Sequence, residues 1–121
     1  FVFLYAEESP ITGEIITLLT DEMIAQIGET VRKDWEGRVA AAGNKLDSTA
    51  LRKDTLAGHP ALVSTILQTP PNTGALGQSV TEVYEVPVNG HLYQFNITWA
   101  KVLESNTAPM LNNIKASIKI E

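Results

Sequence analysis

The chain has 121 residues, 44% hydrophobic and 19% charged, with nine Lys/Arg against fourteen Asp/Glu for a net charge of −5, and no cysteine. That length builds one compact domain with a core, not two, and the composition excludes general disorder. The acidic balance disfavours a phosphate backbone and so excludes nucleic acid as a partner, while the missing cysteine removes disulfides, thiolate catalysis and Cys-ligated zinc.

Residues 1–6 (FVFLYA) read as a short strand, broken by Glu7-Glu8-Ser9-Pro10 with a second turn signal at Gly13. The chain opens inside a strand-like run without Met, so we expect an upstream strand and any signal or lipid tether to be missing. Residues 14–19 (EIITLL) are β-branched and apolar, and read as a second strand or as part of the helix that follows. Thr20 or Asp21 caps a helix of about 22 residues whose apolar stripe runs Ile24, Ile27, Val31, Trp35 or Arg38, and Ala42. Gly43-Asn44 stops it. Residues 46–57 read as an exposed strand, Gly58-His59-Pro60 as a turn, and 61–69 (ALVSTILQT) as a fairly central strand.

The Pro- and Gly-bearing segment 70–77 (PPNTGALG) is a loop. Residues 78–88 and 91–100 alternate around Asn89-Gly90, the strongest short hairpin signal. In the second of these strands Tyr93, Phe95, Ile97 and Trp99 share one face, and Pro87 predicts that the first one ends at an edge or a bulge. A second helix spans 106–117, with Pro109 in its first turn and Met110, Leu111, Ile114 and Ile118 as its buried stripe. The order ββ-α-ββββ-α describes an α+β domain, an antiparallel β-sheet with one long and one shorter helix packed on it.

This order, with the phrases TLAGHPALVSTI, HLYQFNITWA and LNNIKASIKIE, resembles the PsbP-like family. That family includes PsbP, the extrinsic protein of the oxygen-evolving complex, Mog-type Ran-binding proteins and bacterial envelope proteins such as DcrB; this chain looks most like the small bacterial envelope members. The resemblance implies a single domain over 1–121 and scaffold, assembly or binding roles rather than a shared active site. It implies a non-enzymatic extracytoplasmic accessory protein with a protein partner, no cofactor, and contact with a membrane only through a missing tether. The compartment would be the periplasm, the cell surface or the thylakoid lumen. Alternatives are a photosystem-associated extrinsic subunit, a cytosolic Ran-binding-type protein and a small hydrolase.

Two candidate sites follow. His59 and His91 each sit beside a hairpin turn at one end of the sheet, where with Glu85 or Asp54 they could bridge a divalent metal; the plainer reading is two polar turn residues in water. Pro70, Pro71 and Asn72 of the loop, with Trp35 as an interface anchor, are candidate partner contacts; their plainer roles are a connector and helix–sheet core. Glu7, Glu8 and Glu14 read as a solvated cluster, and no catalytic elbow or phosphate loop occurs.

Overall fold

The computed structural model describes residues 2–71 and 77–118. Strand β1 (Val2–Glu8) leads to helices α1 (Gly13–Leu18) and α2 (Asp21–Ala41). Strands β2 (Lys45–Leu56), β3 (His59–Thr69), β4 (Ser79–Val88) and β5 (His91–Ala100) follow as a meander, and a 3-10 turn (Lys101–Leu103) leads into α3 (Glu104–Ser117). All strand pairs are antiparallel, in the order β1-β5-β4-β3-β2. The α+β class holds, but of 14–19 residues 14–18 lie in a short helix of their own, neither a strand nor part of α2, and Leu19 is its extended C-cap. Thr12 Oγ1 caps the Ile15 amide, and Gly13 lets this end approach the Pro60 ring, where an added Cβ would sit 3.3 Å from it. A capped start beats the β-branched composition of the run.

Helix α2 runs as expected. Thr20 Oγ1 accepts from the Met23 amide, and the C-terminus closes with Gly43 N–H on Ala40 O and Asn44 N–H on Val39 O. Gly43 holds φ +80°, the left-handed residue of a Schellman stop. Its buried stripe ends on Val39, so neither Arg38 nor Ala42 continues it; Arg38 lies exposed over the Trp35 ring at 5.3 Å.

Both hairpin turns place two residues at positive φ, Ala57-Gly58 at 54° and 79° and Asn89-Gly90 at 52° and 80°, the type I′ pattern that matches strand twist. The first turn is therefore Ala57-Gly58, and His59-Pro60 already belongs to β3. Pro87 marks no sheet edge, because β4 is the central strand. The β3–β4 ladder ends at Leu62 opposite Glu85. Two residues further, that register would set Pro60 against Pro87, two residues with no N–H to donate.

The register sorts the sheet into faces. One carries Leu56, Ala61, Val63, Tyr84, Val86, Phe95 and Ile97, closed by Leu111 with Ile114 of α3. Tyr93 and Trp99 pack against this core, as their alternation predicts. Helices α1 and α2 pack the opposite face, chiefly on β3 and β2. Helix α3 starts two residues earlier than its sequence suggests, so Pro109 falls inside it and Met110 is exposed rather than buried.

Candidate functional site

Helix α3 covers only part of its face of the sheet. Beside it lies an open groove of about 370 Å³ lined by Ser48, Thr65, Leu67, Val80, Glu82, Trp99, Lys101 and Glu104. Its floor is built by register. Ser48 pairs Leu67, Leu67 pairs Val80 and Val80 pairs Trp99, one row across four strands. The next row runs Ala50, Thr65, Glu82 and Ile97, and the third Arg52, Val63, Tyr84 and Phe95.

A charge network crosses these rows. The Glu82 side chain is 12% exposed and accepts from Arg52 Nη2 at 3.0 Å, with Lys115 Nζ 3.8 Å away and Tyr84 OH at 3.5 Å. Arg52 Nη1 also donates to Thr65 Oγ1 at 3.2 Å, and Lys115 donates to Tyr84 OH at 3.3 Å. Partial burial pulls the Arg52 guanidinium down, but Glu82, Tyr84 and Asp54 outweigh it and hold it above its ordinary value. At the rim Lys101 Nζ meets Glu104 at 2.7 Å. The carboxylates of the groove are thus met by cations, and its apolar floor ends on Trp99, whose indole N–H is buried without a partner. A buried donor of this kind costs about 1–3 kcal/mol until it is satisfied.

The histidines lie where the meander predicts, at one end of the sheet. His91 pairs with Val88, and the β3–β4 register carried on would set His59 level with Val88 from the other side. Two strand spacings put the pair on the order of 10 Å apart. His91 Nδ1 lies 3.3 Å from Asn89 O, its ring tilts on Tyr93, and it lines a shallow hollow with Glu8, Ser9, Pro10 and Gly90. Glu85 pairs with Gln94 and so points to the other face from His91, while Asp54 lies beside Arg52 at 3.4 Å. Among the described residues no three His, Asp or Glu side chains gather in a metal-holding group.

In the loop, Pro70 is half-buried and Pro71 exposed; Asn72 lies outside the described residues. Asp47 clamps both stems of that loop, accepting from Thr69 Oγ1 and from Gln78 Nε2 at 2.9 Å, and these bonds hold its carboxyl below the ordinary value. Trp35 is half-buried on α2.

Comparison with protein-family models gives no match, and comparison with curated proteins gives none. Among solved structures the chain is similar to the solution structure of cyanobacterial PsbP (CyanoP) from Synechocystis sp. PCC 6803, at 13% identity and a TM-score of 0.51. The match covers 99% of this chain and 66% of that one, so the chain spans just under two thirds of that protein's length. The fold is PsbP-like, as the order of elements and the local phrases imply.

Proposed function

We propose that a PsbP-like fold serves here as a non-enzymatic binding or assembly domain that works outside the cytoplasm, and that its protein partner sits in the groove beside α3. The observation that carries this reading is the groove itself: an apolar row ending on Trp99, flanked by a carboxylate that Arg52 and Lys115 already match. Recognition surfaces combine an aromatic anchor with neutralised polar groups in this way. The fold likeness supports an accessory role, as scaffolds of this fold carry no common catalytic set in the resemblance drawn above. No helix among the described residues is long and apolar enough to cross a membrane.

The test places a photo-crosslinking residue at exposed Ser48 and irradiates the chain in an envelope extract. A discrete adduct that disappears when exposed Ala50, on the neighbouring row, is changed to Arg is the expected result. No adduct, together with turnover in a hydrolase screen, contradicts the proposal.

A further inference from the structure

Helix α1 and the start of α2 present large apolar side chains to solvent. Helix α1 lies chiefly on β3 and buries Ile16, which is 2% exposed. At 3.6 residues per turn, Glu14 and Leu18, two positions to either side of Ile16, fall on the far face of the helix. Leu18 is accordingly 70% exposed, and Ile11, Ile15 and Met23 are exposed as well. Leu19 and Thr20 alone separate α1 from α2, which keeps Met23, in the first turn of α2, beside the end of α1. Scattered exposed apolar residues are ordinary, but four large ones on one bend of chain form a patch of the kind that marks an interaction surface. The charge around the patch has one sign. Glu14, Asp21 and Glu22 are exposed between its apolar residues, and from Ala6 to Val31 the chain carries no Lys or Arg. Lys53 reaches α1 from the sheet, but it donates to Thr17 O and Leu19 O at 3.4 and 2.8 Å and is held at the carbonyl end of the helix.

We propose that this patch docks a basic amphipathic helix of a partner protein, its apolar face on Ile11, Ile15, Leu18 and Met23 and its Lys or Arg side chains opposite Glu14, Asp21 and Glu22. The charge selects this occupant. Anionic lipid surfaces attract Lys and Arg, so these carboxylates oppose a membrane. A second copy of the chain would set the same acidic rim against itself, and like-charge juxtaposition suppresses a pairing. A cationic helix gains opposite charges at the rim and buries apolar surface at the centre, the arrangement by which amphipathic helices are captured. The adaptable thioether of Met23 suits such a surface. The patch lies on the α1 side of the sheet, away from the groove beside α3, and shares no residue with it, so each proposal can fail alone.

The probe is a synthetic helix of about 15 residues, long enough to be helical alone, with Leu on one face and Lys on the other. A control peptide carries Glu in place of every Lys. Titrated into the isotope-labelled chain, the Lys peptide is expected to move the amide resonances of Ile15, Leu18 and Met23, to leave the Trp99 indole in place, and to bind less tightly as salt rises. Leu18→Ser should weaken binding by roughly tenfold. Asp21→Asn combined with Glu22→Gln should also weaken it and flatten its salt dependence, with circular dichroism confirming that both variants fold. Equal binding of the two peptides, or shifts that avoid these residues, overturns the proposal. Adsorption to phosphatidylcholine vesicles that Leu18→Ser abolishes, or a light-scattering dimer that it dissolves, assigns the patch to a membrane or to a second copy and overturns it as well.

Discussion

At the scale of single residues, Glu85 is a titrating group whose surroundings oppose its charge. It lies half-buried on β4, and burial, then the nearby Glu7 carboxylate, raise its pKa above the ordinary value. A carboxyl whose folded pKa exceeds the unfolded one binds more protons in the native state between the two values. Its contribution is therefore fully present below the unfolded pKa and is lost as pH rises through the folded one. Asp47, held low by Thr69 and Gln78, acts in the opposite sense and loses its contribution as pH falls. Subtracting the Glu85→Gln variant from the parent isolates the first effect. Urea midpoints measured from about pH 4 to 7 should show the variant gaining on the parent as pH rises. A constant difference across that range would count against the buried-charge account.

At the scale of elements, the features legible in the sequence were those with strong local signatures. Asn89-Gly90 fixed a type I′ hairpin, and Gly43-Asn44 fixed a Schellman stop, because both need a left-handed residue and supply one. The misread elements are those where local signals compete. In 14–19 the β-branched residues argue for strand, and the Thr12 cap decides for helix. Pro109 suggested a helix start, but α3 begins at Glu104 and takes the proline inside. The first hairpin turn was hidden because Ala57 occupies a left-handed position with no signature for it. An L-residue with a Cβ is strained there by about 1–2 kcal/mol, and Asn tolerates it better. Ala57→Asn should therefore raise stability by about 1 kcal/mol in denaturant unfolding; a loss of stability would mean that the methyl group makes a contact worth more than the strain.

At the scale of the whole molecule, the sequence carried the α+β class and the PsbP-like fold, and the solved-structure likeness agrees with both. The groove was not legible. Its residues come from β2, β3, β4, β5 and the segment after β5, and they meet only because three registers line up Ser48, Leu67, Val80 and Trp99. Alternation placed Trp99 on the core face but could not show that α3 stops short of its neighbours. Glu82 gave no signal, because its partners Arg52 and Lys115 lie 30 and 33 residues away in the chain. The turn-rim histidines and the loop, by contrast, were visible because each is local in sequence.

The binding account makes Trp99, and not Trp35, the reporter of partner contact. The chain has two tryptophans and so two indole N–H signals, one in the groove and one on α2. Titrating the isotope-labelled chain with the partner recovered by crosslinking should move the Trp99 indole resonance and leave that of Trp35 in place. Movement of Trp35 alone, or of neither, would contradict the placement of the partner in the groove.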